Sequence, residues 1–226
     1  MITKNALKYV YKKATSQSSE EIYKKLKDID DKYNKIVQKY ECTITFKCMK
    51  NVSFDSKLSA QSSFGKSIIV SPEWAYTLML SNNDNVNNAF LITIGHEITH
   101  KENDIHFING LSSFIFSCWI NELHADFGAA EKMVNNNRQL LLESCKYKKE
   151  RVLLWRQSSK DKYSKFADLL FNKIPQDHPS WQQRIDYITN YNFNEELIRK
   201  IAKDTKCSNE KRIQKVINQF DPIILK

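Results

Sequence analysis

Residues 88–104 constrain this chain more than any other stretch, because they set His96-Glu97-Ile98-Thr99-His100 inside a run with helical periodicity. In an α-helix, residues four apart stack on one face, so His96 and His100 can aim both imidazoles at one point. A zinc ion suits that point. Glu97 lies beside His96, one position off the ligand pair, and is the candidate general base for a water at the metal. Phe90, Leu91, Ile94 and Ile98 form an apolar stripe, while Ala89, Thr93, His96, Glu97 and His100 form a second face, with small residues leaving an open approach. The H-E-x-x-H pattern is short and also arises on solvated helices with surface histidines. Here, though, the chain has only 5 histidines and sets two of them at ligand spacing around a glutamate. Gly95 costs about 1 kcal/mol of helix propensity relative to Ala, and its missing side chain lets another helix come close.

A second helix follows. Phe116, Trp119, Ile120, Leu123, Phe127 and Ala130 recur at helical spacing, which predicts a helix over residues 114–134 buried along one side. Glu122 projects from another side. A catalytic zinc needs a third protein ligand and an open fourth position, and a carboxylate on a neighbouring antiparallel helix supplies the ligand. Asp126, one turn on, is placed to accept the second ring N–H of His96 or His100 and so fix the metal-binding tautomer. The plainer alternative makes both carboxylates part of a solvated face. His124 points nearly opposite to Glu122, and both His124 and His106 are expected to be non-ligands.

His96-Glu97-x-x-His100 followed by Glu122-x-x-Ala125-Asp126 resembles the gluzincin metallopeptidases. The Glu-x-x-Ala-Asp form resembles the CAAX prenyl endopeptidase and heat-shock membrane protease family in particular. Downstream, His178-Pro179 with Arg184-Ile185 is similar to that family's His-Pro-x-x-x-x-Arg-Ile element, and Ser59-Ala60-Gln61 with residues 65–70 is similar to its edge hairpin. The resemblance covers roughly residues 59–187, and residues 1–40 and 190–226 lie outside it. It implies a zincin-like core with one catalytic Zn2+ on His96, His100 and Glu122. It also implies Asp126 behind the ligands, His178 stabilising an oxyanion, and Arg184 holding Glu122 or Asp126. The strand Ser67, Ile68, Ile69 and Val70 would pair with an extended peptide substrate, the plainer alternative being an ordinary internal strand. From the residues alone, His178 is a loop histidine and Arg184 a salt-bridging arginine.

The rest of the chain predicts an α+β fold, mostly α, with a small β-sheet beside the active-site helix. Ile22, Leu26, Ile29, Tyr33, Ile36 and Tyr40 mark an amphipathic helix capped by Ser18 or Ser19, packing against its own domain. Cys42, Ile44, Phe46 and Cys48 alternate as in a strand, with both cysteines read as buried. Ser71-Pro72-Glu73 starts a helix, and Asn82 to Asn85 supply caps for the zinc helix. Residues 137–173 read as helical and basic, with Phe166, Leu169, Leu170 and Phe171 as later apolar positions and Pro175 as the break. Ser180 and Gln183 sit at capping-box spacing, and two short helices over residues 194–220 are capped by Asn194 and Ser208. The expected organisation is an N-terminal helical extension (1–40), a metallopeptidase core (41–190) and a C-terminal helical extension (191–226), together one compact domain.

Compartment follows from what the sequence lacks. The 5 cysteines are odd in number and include no C-x-x-C pair, which argues against a disulfide framework and for a reducing compartment. No secretory signal is visible, and the most apolar stretch, residues 107–120, is interrupted by polar residues and shorter than the roughly 20 needed to span a bilayer. The family's better-known members are membrane-embedded, so this chain departs from them. A cytoplasmic protein is expected, with peripheral membrane or acidic-surface contact through its basic faces. The leading expectation is a zinc-dependent endopeptidase acting on protein or peptide substrates. Two rivals stand beside it. One is a nucleic-acid-associated protease or binder, suggested by the net charge of +9 and the basic run over residues 146–165, although no nucleic-acid motif is present. The other is a catalytically silent metal-binding scaffold.

Overall fold

The structure, a computed structural model, describes residues 1–48, 58–63, 66–81, 83–104, 110–158 and 178–224. Gly65, Asn82, His106, Phe107, Phe166, Leu169, Leu170, Phe171 and Pro175 lie outside the described residues. In chain order the elements are α1 (Lys4–Lys13), α2 (Ser19–Val37), a 3-10 turn (Gln38–Tyr40), β1 (Thr43–Phe46), β2 (Ala60–Ser62), β3 (Ser67–Val70) and α3 (Pro72–Leu80). Then come α4 (Asp84–Asn103), α5 (Leu111–Val134), α6 (Arg138–Ser158), α7 (Trp181–Asn190), α8 (Glu195–Asp204) and α9 (Glu210–Ile224). Among the described residues the fold is α+β and mostly helical, with one small three-stranded sheet. Among the described residues, no helix is long and apolar enough to cross a membrane.

Local chemistry explains the helix starts. Ser18 caps α2 in a reciprocal box with Glu21, and Ser180 does the same for α7 with Gln183, so each box satisfies two otherwise orphaned amides. Asn83 caps α4, its Oδ1 accepting from the Asn85 amide at 2.8 Å. Ser71 precedes α3, but its hydroxyl accepts from the Ser59 amide at 3.3 Å and so ties the helix start to the sheet. Glu73 then turns inward, 6% exposed, and receives Lys13 Nζ at 2.6 Å and the Tyr9 hydroxyl, which fastens α1 to α3. Before α9 the capping residue is Asn209 rather than Ser208, since Asn209 Oδ1 takes the Arg212 amide at 3.3 Å.

Two hydrophobic clusters share α4 between them. Phe90, Ile94 and Ile98 are buried with α2, α3 and the sheet; the Phe90 ring meets Tyr33 edge-on at 4.6 Å and Trp74 at 5.1 Å. The stripe of α2 is buried here, within its own chain, through Ile22, Leu26 and Tyr33. Ile92 faces the other way, into a cluster built by α5 to α9. The centre of α5 is buried all round and not along one side: Asn121, Glu122, His124 and Asp126 are each 8% exposed or less. The reason is that α5 is packed by α4, α6 and α8 together. His124 accordingly packs at a tilt against the Phe193 and Phe220 rings, and burial lowers its pKa to about 4.

The sheet has the order β1-β3-β2. β1 runs parallel to β3, pairing Thr43 with Ser67 and Phe46 with Val70, while β2 runs antiparallel to it, pairing Ala60 with Val70 and Ser62 with Ile68. The strand of Ser67, Ile68, Ile69 and Val70 is therefore the middle one. Both edges of this strand are already bonded, so it is an internal strand and does not hold the edge position that pairing with substrate needs; among the described residues, the strand that faces α4 with an unpaired edge is β2. Cys48 also departs from expectation, being exposed because β1 ends at Phe46, whereas Cys42 is 7% exposed. Cys42, Cys48, Cys118, Cys145 and Cys207 form no disulfide with one another.

Candidate metal centre

The site depends first on how closely α4 and α5 approach. A Cβ on Gly95 would lie 3.0 Å from Ala129 Cα and 2.7 Å from Met133 Cγ, so the absence of a side chain there lets the two backbones meet. Gly128 answers from α5 against Thr99. These two small positions bracket the ligands: Gly95 precedes His96, Thr99 precedes His100, and Gly128 lies two residues beyond Asp126.

Across that contact, His96, His100 and Glu122 bring one ligand atom each within 4.8 Å of one another. The two Nε2 atoms stand 2.9 Å apart, and Glu122 oxygens lie 3.5 Å from His96 Nε2 and 3.4 Å from His100 Nε2. A tetrahedral zinc with bonds of roughly 2.0–2.1 Å has donor-to-donor edges of about 3.3 Å. The separations, one to each Glu122 oxygen, are on the scale of donors around one small divalent cation, and two imidazoles with one carboxylate are a donor set that could hold such an ion, zinc among them.

Both histidines are oriented from behind. His96 Nδ1 meets Asp126 Oδ1 at 3.0 Å, and His100 Nδ1 meets Asp104 Oδ1 at 2.8 Å, which turns both Nε2 atoms toward the shared point. Arg184, on α7, lies beneath: its Nε donates to Asp126 Oδ2 at 2.7 Å, one terminal nitrogen donates to Glu122 Oε2 at 3.0 Å, and the other donates to Asp126 Oδ1. Arg138 holds α7 in place by donating to the Ile188 and Tyr191 carbonyls. Burial opposes the charge on Glu122, but His96, His100 and Arg184 hold its carboxyl well below the usual range. Burial likewise opposes the Asp126 charge, and Arg184 and His96 outweigh it. Burial also disfavours a charged His100, yet Asp104 and Glu122 raise it to about 10, so the metal-free site keeps a proton there at neutral pH.

Around this centre, Glu97 Oε2 accepts from the Ser62 amide at 2.7 Å. Ser63 N bonds back to Ser67 O, so by strand alternation the Ser62 N–H points out of β2 on the side away from β3 and toward α4. Lys101 Nζ donates to Ser67 O at 2.9 Å and fixes the sheet to the helix. His178 Nε2 is 3.4 Å from Glu122 Oε1 with its side chain 61% exposed, which puts it on the solvent side of the ligands and outside the three-residue group. His96, Glu97, His100, Glu122, Asp126, His178 and Arg184 are therefore brought together; Ser67 to Val70 are not. Asp104, Ser62 and Lys148 are neighbours that sequence reading did not assign. Asp104 had a usable signal, since it follows His100 by one helical turn. The pairing of Ser62 with Glu97 crosses 35 positions and had none.

No family model matches the chain, and no curated protein or solved structure is significantly similar to it.

Proposed function

We propose that this chain is a zinc-dependent endopeptidase with a gluzincin-like, zincin-type core. The observation that carries the reading is the convergence of His96 Nε2, His100 Nε2 and a Glu122 oxygen on one point, beside a glutamate that is not part of the triangle. A zinc ion held by those three residues supplies Lewis acidity, acidifying water and polarising a peptide carbonyl.

The remaining work falls to the chain's own groups. Glu97 takes the proton of the attacking water and passes it to the departing amine. Its hydrogen bond from Ser62 aims the carboxylate while leaving its second oxygen for the water. His178, at the solvent side of Glu122, donates an N–H to the oxyanion of the tetrahedral intermediate. Arg184 holds Glu122 ionised by a charge-assisted hydrogen bond, and Asp126, itself gripped by Arg184, keeps the His96 ring in register. With the Ser62 N–H taken by Glu97, the edge of β2 that is unpaired among the described residues offers the main-chain groups of Ala60 to an extended peptide.

Glu97→Gln tests the assignment, because it keeps the side chain's shape and removes its basicity. The zinc-loaded variant should retain its metal and lose casein cleavage by at least about a hundredfold, in line with the rate typically contributed by a general base. Full cleavage by that variant would contradict the mechanism.

A further inference from the structure

Lys148 stands out on α6. That helix packs against α4 and α7, and it brings the Lys148 ammonium over the Trp181 ring, 5.3 Å from its centroid. The Arg184 guanidinium lies 4.2 Å from the centroid of the same ring. Lys148 is half-buried, yet among the described residues no acceptor lies within hydrogen-bonding or ion-pair reach of it. The charged groups of the described residues that act on it are engaged elsewhere: Asp126 with Arg184 and His96, Arg184 with Glu122 and Asp126, and Glu97 with Ser62.

Lys13 gives the comparison within the same molecule. Its ammonium also rests on aromatic rings, those of Tyr9 and Tyr76, at 5.3 and 4.8 Å, and there the Glu73 carboxylate completes the arrangement at 2.6 Å. Lys148 has the ring and lacks the carboxylate. A half-buried cation without a counter-charge is costly, and burial together with Arg184 pushes Lys148 down to about 8.

We propose that Lys148 and Trp181, where α6 packs on α4 and α7, form a carboxylate-binding subsite, which selects substrates carrying an acidic side chain or a free terminal carboxylate near the bond to be cut. The substrate class rests on the peptidase reading above; the binding of a carboxylate does not. Lys148 supplies the charge-assisted hydrogen bond and Trp181 holds the ammonium in place.

The full chain, without zinc, would be titrated with three small probes while the Trp181 indole N–H is followed by 15N NMR. Acetyl-glutamate N-methylamide carries only a side-chain carboxylate, acetyl-alanine only a terminal one, and acetyl-glutamine N-methylamide none. At least one acidic probe should bind about tenfold more tightly than the neutral one, and whichever it is identifies the source of the carboxylate. Lys148→Met should abolish that difference and Lys148→Arg should keep it. Equal binding of all three probes to the unaltered protein overturns the subsite, as does an acidic preference that survives Lys148→Met. With zinc restored, kcat/KM for a peptide bearing the preferred carboxylate should exceed that for its amide by about tenfold, mostly through KM. Carboxylate binding dependent on Lys148 without cleavage of any peptide would sink the peptidase reading and leave the subsite standing. Cleavage with no acidic preference would do the reverse.

Discussion

Thr99 and Gly128 face each other across α4 and α5 so closely that a Cβ on Gly128 would lie 2.6 Å from Thr99 Cγ2 and 2.7 Å from its Oγ1. Thr99 has little room to retreat, because its hydroxyl already donates to the Gly95 carbonyl at 2.9 Å. Because His100 follows Thr99 and Glu122 lies on the facing helix, this contact sets the width of the metal triangle.

Gly128→Val should therefore damage two properties together. Overpacking at a helix contact costs about 1–3 kcal/mol, and separating the helices draws Glu122 away from His96 and His100. Urea unfolding should register the stability loss, and competition with a chelator should show zinc affinity lowered by roughly tenfold or more. Normal zinc affinity in a destabilised variant would mean that the helix spacing does not govern the site.

Arg184 is 7% exposed and shares its single positive charge between Asp126 and Glu122. Removing one partner from a buried ionic group leaves uncompensated charge, typically at about 3–5 kcal/mol. Arg184→Met should show a loss of that order in the metal-free protein by chemical denaturation. Zinc should recover part of it, because a bound cation again offsets Glu122.

The proton on His100 gives the metal-free protein a distinctive pH response. Its folded value, about 10, lies above the ordinary 6.5, so its stabilising contribution is complete below about pH 6.5 and is lost as pH rises toward 10. The metal-free protein should thus lose stability across that window, and His100→Gln should flatten the slope. Metal ligation requires the neutral ring, so zinc binding near pH 7 should release about one proton. Calorimetry in buffers of different ionisation enthalpy would count it.

How far the sequence could be read depended on how local each signal was. Ser18 with Glu21, Asn83 with Asn85, and Ser180 with Gln183 are bonds between residues two or three apart, so the starts of α2, α4 and α7 were legible. His96 and His100 are likewise one turn apart, and Gly95 announced a close neighbour. The place of Ser67–Val70 in the sheet was not legible, since β1 and β2 both have patterns compatible with an edge and only the three-dimensional pairing puts β3 between them. Lys148 was hidden for a different reason. In sequence it is one of several lysines in a basic run, and only the packing of α6 on α4 and α7 sets it apart, by bringing Trp181 beneath it.

The most direct test is the zinc content of the purified chain after stripping and reloading, compared with His96→Ala and Glu122→Gln. The account predicts about one tightly held zinc in the parent chain, none in His96→Ala, and loosely held metal in Glu122→Gln. A parent chain that takes up no zinc, or a His96→Ala variant that holds as much as the parent, would contradict it.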